Sequence, residues 1–309
     1  MTTPSDALPE STVQTQTVAP SAVSTRPLYW SIRRELWEHR SVYIAPVAVV
    51  AVFLLGFFIN SFSLPRRMQA LAAADLDHQH RAILQPYDFA GGVIMLVMML
   101  VSIYYSLDTL YSERRDRSIL FWKSLPVSDL TVVLAKATLP LVIIPLISYI
   151  LMFFTDLFML LWSSVVLLAS GQSVSALWAQ VSLFQTTLMV LYHLVTVHTL
   201  WYAPIYCYLM LVSAWARRAP FLWAVIPPVA IAAFEKIIFD STHFARFIGY
   251  RFSGPQSFDF PSHADMSMHP MMSLNPAKFF AAPGLWLGFV AAAVFLVLAA
   301  RLRRHRDPV

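Results

Sequence analysis

Between positions 130 and 168 the chain runs for 39 residues with only two charged side chains, Lys136 and Asp156. A hydrocarbon core about 30 Å thick needs roughly 20 apolar residues in a helix. The run is therefore long enough to cross a membrane and too apolar for the interior of a water-soluble domain. Pro140 and Pro145 predict a bend in it. We place one membrane span at 130–160 and assign the remainder to a lip at the far surface.

Five further apolar stretches repeat the signal, at 42–62, 89–111, 183–215, 220–239 and 283–300. Only 13% of the residues are charged, where a soluble domain carries about 25%, and the mean hydropathy is +0.62. The expected fold is an all-α polytopic membrane protein with six transmembrane helices within 27–309. Residues 1–26, rich in Ser, Thr, Pro and Gln, read as a disordered tail. They lack the basic start and apolar centre of a signal peptide. The single cysteine, Cys207, can form no internal disulfide.

Lys and Arg set the orientation, because short cytoplasmic loops collect them. Of the 22, 15 fall on the side of the two termini and 7 on the other. Both termini are therefore expected in the cytoplasm, in a chain that crosses its membrane several times. The formal charge of +5 lies beside the spans, which suits lipid headgroups and gives no sign of a nucleic-acid partner.

Two segments flanking the spans carry more detail. In 27–40, Leu28, Ile32 and Leu36 recur at helical spacing, with Trp37 beside them and Arg33, Arg34, Glu38 and Arg40 between. This predicts an amphipathic helix lying in the lipid headgroup layer. In 112–136, SERRDRSILFWKSLPVSDLTVVLAK, a run of charges precedes a short apolar cluster that is too short to cross a membrane. Pro126 then marks a turn, and Ser128 or Asp129 can cap the next helix.

This second segment resembles the cytoplasmic coupling loop of type-2 ABC export permeases. That family carries Glu-Arg, a small residue, an apolar cluster, Leu-Pro-Val-Ser and a later Lys. Here these are Glu113-Arg114, Ser118, Ile119-Leu120-Phe121, Leu125-Pro126-Val127-Ser128 and Lys136. The family usually has Gly where this chain has Ser118, so the tight turn is expected to be built differently. Arg33-Arg34-Glu35 is similar to the cluster on the interfacial helix that precedes the first span in that family. The resemblance implies that Glu113, Arg114, Arg115, Ser118, Leu120, Phe121, Trp122, Leu125, Pro126 and Ser128 meet an ATPase. It implies an interfacial helix carrying Leu28, Ile32, Arg33, Arg34, Glu35 and Leu36. It further implies two copies of a separate ATPase subunit that hold ATP and Mg, and a second permease copy in a homodimer.

The chain has no GxxxxGK[ST] loop, so no nucleotide site is legible in it. No HExxH or GxSxG supports an enzyme either, and the chain itself is read as no enzyme and as holding no cofactor. Ionisable groups within spans need partners or water. Asp156, Glu235 and Lys236 are candidates for a transport path or for fixed interhelical pairs. His193 and His198, five apart, are expected on different faces of a helix. His263, Met266, Met268, His269, Met271 and Met272 form a Met/His segment that suits Cu(I) by ligand type. An adaptive apolar lid is the favoured reading of it, and no metal is expected. The alternative to an exporter is a permease-like subunit that passes ATP-driven motion to an envelope or periplasmic partner without conducting a solute.

Overall fold

The computed structural model describes residues 26–71, 75–123, 127–253 and 276–305, and every regular element among them is a helix. Six helices are long and apolar enough to cross a membrane: Ser41–Ser61, His78–Arg115, Asp129–Ala169, Leu177–Trp201, Pro220–Phe239 and Pro283–His305. Their number and character make this a helical membrane protein of several passes. Most of the N-terminal tail, Leu125, Pro126 and the Met/His segment lie outside the described residues.

α1 (Pro27–Glu38) opens on a proline, whose missing N–H leaves nothing unsatisfied in a first turn. Only His39 and Arg40 separate it from α2 (Ser41–Ser61). The polar stretch between the first two apolar runs is largely helical, made of α3 (Leu64–Leu71) and the start of α4 (Leu76–Arg115). α4 has 40 residues, about 60 Å of helix, and so outruns the bilayer. Ile83, Tyr87 and Ala90 explain the extension. They share one helical face and are buried with Met159, Leu160, Leu167 and Leu177. Tertiary packing stabilises helix here where hydropathy alone sees a polar stretch.

After α5 (Ser118–Lys123), α6 (Asp129–Thr138), a π-helical turn at Leu139–Ile143 and α7 (Ile144–Ala169) follow as one continuous helix. Pro140 supplies no N–H and would clash with the carbonyl four residues back. The wider turn around it relieves that clash, and it lies where the bend is expected. No lip follows at 160. The helix runs on to Ala169 and ends where Gly171 turns left-handed at φ 72, with Gln172 N donating to Leu167 O at 3.0 Å.

α8 (Ser175–Gln180) leads into α9 (Leu183–His193), a π-helical stretch at Leu194–Trp201 and α10 (Ala203–Trp215). The fourth span is thus interrupted at Tyr202, shortly before Pro204. The π geometry also corrects the placing of the two histidines. Hydrogen bonds five residues apart bring residues five apart onto one face, and the His193 and His198 rings meet edge to face at 5.2 Å.

α11 (Pro220–Phe239), α12 (His243–Ser253), α13 (Pro276–Ala281) and α14 (Pro283–His305) complete the chain. α10 is central and packs on α4 and α14. α11 is peripheral and buries only Ala224. α12 is set against α14 through a fitted contact, because a Cβ on Gly288 would lie 1.6 Å from Arg251 Nη2. Gly288→Ala should therefore expel the guanidinium and cost about 2 kcal/mol in lost packing and hydrogen bonding. Thermal unfolding checks this: the same change made on an Arg251→Ala background should cost almost nothing.

Candidate functional site

One end of the bundle gathers α1, α5, the start of α6 and the ends of α4, α10 and α14. Its centre is Lys136, which the sequence reading counts among the loop cations. It sits instead on the second turn of α6 and is 0% exposed. A buried ammonium needs opposite charge and acceptors for its three N–H groups. Lys136 Nζ lies 2.9 Å from both carboxylate oxygens of Glu35, 3.1 Å from Glu113 Oε1 and 3.0 Å from Thr109 Oγ1.

Each partner extends the cluster to another helix. Glu35, on α1, accepts from Tyr105 OH of α4 at 3.0 Å and from Arg34 Nη2 at 2.7 Å. Glu113, near the end of α4, reaches Arg34 Nη2 at 3.4 Å and Arg303 Nη2 of α14 at 3.3 Å. Arg303 also pairs with Asp129, the first residue of α6. Three cations (Arg34, Lys136, Arg303) thus face three carboxylates (Glu35, Glu113, Asp129) across four helices. Burial alone would raise the Glu35 carboxyl, but Lys136 and then Arg34 outweigh it and lower it from 4.5 to about 2. Glu35 is therefore ionised at any physiological pH.

Arg114 points the other way. Its Nη2 donates to Ser213 O at 2.9 Å and to Ala216 O at 2.5 Å. It satisfies carbonyls at the C-terminal end of α10, where a cation also suits the helix dipole. Ser213 Oγ accepts in return from Leu110 N and Tyr111 N at 3.1 and 2.9 Å. Glu113 and Arg114 are both buried, so the residues most characteristic of the resemblance face the protein.

α5 stands on this cluster. Ile119 is buried, and the Trp122 ring lies 3.7 Å beneath the Arg34 guanidinium, a cation–π contact that ties α5 to α1. Ser118 Oγ donates to Glu113 O at 3.4 Å. With that foot in place, Leu120 and Phe121 are displayed at 58% and 61% exposure. Arg115 is exposed and pairs with its neighbour Asp116 at 2.9 Å. Ser128 Oγ caps α6 by accepting from Thr131 N at 3.1 Å.

The tight turn before α5 falls at Arg117, one residue ahead of Ser118, with φ 56. Left-handed backbone costs a residue with a Cβ about 1 kcal/mol that glycine avoids. Arg117→Gly should accordingly raise the unfolding temperature by roughly 2 °C, read by a thermal melt of the purified protein.

The expected face of α1 is altered. Ile32 packs with Val42, Met98 and Tyr105, and Ser31 and Glu35 are the buried residues. Leu28 is exposed and Leu36 only partly covered. Trp30, Arg33 and Trp37 form the outward face, with the Arg33 guanidinium 5.4 and 4.7 Å from the two rings. The helix turns a charge toward the protein and aromatic rings away from it.

The remaining candidates are not gathered here. Asp156 is buried on α7. Glu235 accepts from His243 N and Phe244 N at 2.8 Å each and from Ser241 Oγ at 2.6 Å, which makes it a cap for the first turn of α12. Lys236 is engaged on the surface with Asp240 at 2.6 Å. Tyr105, Thr109, Ser213 and Arg303 escape the sequence reading as site residues. A lysine seven residues into an apolar run, with no partner in sight, is the signal that could have led to the cluster. Compared with known families, curated proteins and solved structures, the chain matches none.

Proposed function

We propose that this chain is the membrane-spanning permease subunit of a type-2 ABC exporter in a bacterial inner membrane, with both termini cytoplasmic. In this reading a separate ATPase binds ATP and Mg, two copies of it dock on two copies of this chain, and α5 is the docking element. Leu120 and Phe121 enter a groove on the ATPase and Arg115 lies at the rim. Buried apolar anchors dominate such contacts, and rim charges add less. When ATP closes the ATPase pair, α5 is pushed and the span bundles tilt, moving substrate outward.

The observation that carries the reading is the tie between α5 and the ion cluster. Separating buried, paired charges costs several kcal/mol, so displacement of α5 is passed to α1, α4, α6 and α14 together. The test is isolation of the chain from its own membrane in mild detergent, followed by mass spectrometry of what comes with it. A stoichiometric ATPase with a phosphate-binding GxxxxGK[ST] loop is expected. Isolation of an intact, folded chain with no nucleotide-binding partner overturns the reading.

A further inference from the structure

Toward the other end of α14 from Arg303 lies another buried cation, in a different setting. Arg251, on α12, is 8% exposed. Its Nη1 donates to Gly284 O at 2.9 Å, and its guanidinium carbon lies 4.4 Å from the Trp201 ring centroid. Its Nη2 is buried with no hydrogen-bond acceptor among the described residues. Arg303 meets the carboxylates of Glu113 and Asp129. Arg251 meets one aromatic ring, one carbonyl and a glycine.

This setting is built by several elements. Trp201 Nε1 donates to Arg251 O at 2.9 Å, and Tyr202 OH donates to Phe252 O at 2.8 Å. Both contacts hold the last turn of α12 against the end of the π-helical stretch. Gly288 supplies the space that the guanidinium fills. Phe279 and Leu285 are buried beside Trp201, with Tyr250 packed against them.

A guanidinium withdrawn from water is costly unless a counter-charge meets it. The Trp201 face and one carbonyl offset only part of that cost. If packing were its only role, an apolar side chain of similar volume would serve better. We propose that Arg251 anchors a binding site for a singly charged amphiphilic anion, phosphate- or carboxylate-headed, whose oxygen takes the Nη2 left without an acceptor among the described residues and whose apolar part lies on Tyr250, which is only partly buried at the edge of this cluster. The planar fork of arginine matches such an oxyanion. Ligand entry draws the guanidinium off the Gly288 notch. An acidic lipid of the surrounding membrane and a transported amphiphile offer the same chemistry. The site does not depend on the ATPase reading, and no ATPase enters its test.

The test uses the full chain in phosphatidylcholine nanodiscs and follows the unfolding temperature against three probes: dihexanoyl phosphatidylglycerol, dihexanoyl phosphatidylcholine and inorganic phosphate. The phosphatidylglycerol should raise it saturably and the other two should not. Arg251→Gln should weaken that response at least tenfold, and Arg251→Lys should fall between. Should Arg251→Gln fail to fold, the comparison of headgroups on the unaltered chain decides. Native mass spectrometry separates the sources. An acidic phospholipid retained from the membrane marks a resident lipid, and a site that fills only from added probe marks an exchangeable one. Equal responses to the two lipids, or an undiminished response in Arg251→Gln, overturn the proposal. Inorganic phosphate acting as well as phosphatidylglycerol overturns the amphiphile. Asp259 and Asp265 are the two carboxylates of 254–275, the segment outside the described residues that follows α12; if Asp259→Asn with Asp265→Asn destabilises the chain as much as Arg251→Gln does, the counter-charge belongs to the chain itself and the proposal falls.

Discussion

Glu35→Gln should destabilise the folded chain by about 3 kcal/mol and release α1 from the bundle, although the substitution preserves size and shape. Lys136 would keep Glu113 at 3.1 Å but lose one of its two 2.9 Å contacts to Glu35 and the negative charge behind both, and the single amide oxygen that remains would be shared among Lys136, Arg34 and Tyr105. The damage comes from leaving charge buried and under-paired. Removing both ends should therefore be milder than the single losses suggest, and Glu35→Gln with Lys136→Met should cost clearly less than the sum of the two. A double-mutant cycle on thermal unfolding measures this, and proteolysis near Arg33 reports whether α1 has come away.

The same contact sets an acid limit. Because the folded pKa of Glu35 is lowered from 4.5 to about 2, its contribution is fully present above pH 4.5 and is lost as pH falls toward 2. That contribution is on the order of 3 kcal/mol. Burial raises Glu38 against the pull of Arg34, and this acts in the opposite sense and blunts the loss. Stability measured from pH 6 down to pH 3 should fall in the unaltered chain and fall less in Glu35→Gln.

Much of the architecture was legible because hydropathy is a local property. The first, fifth and sixth spans begin and end within a few residues of where the apolar runs place them, apart from the extension of α14 to His305. What hydropathy missed was decided by partners distant in sequence. The start of α4 is helical because Ile83, Tyr87 and Ala90 find α7 and α8. The histidine rings meet edge to face because the helix widens between them, and no spacing rule for an ordinary α-helix anticipates that. For the candidate site, the residues of 112–136 draw attention as a group, yet their division of labour depends on the fold. Glu113 and Arg114 face inward, Ile119 and Trp122 form the foot, and Leu120 and Phe121 face out. Glu35, Lys136 and Arg303 lie about a hundred or more residues apart in sequence and about 3 Å from their partners in space.

The claim that α5 receives force from an ATPase is tested most directly on Leu120→Asp and Phe121→Ala. Both side chains lie on the exposed face and outside the ion cluster, so neither change should lower the unfolding temperature or release α1. If α5 is the docking element, each variant should purify with native stability but with at least tenfold less ATPase attached. Whatever ATPase remains should turn over ATP at the rate of the free enzyme. Variants of unchanged stability that hold the same amount of ATPase, and stimulate it as the unaltered chain does, would contradict the assignment.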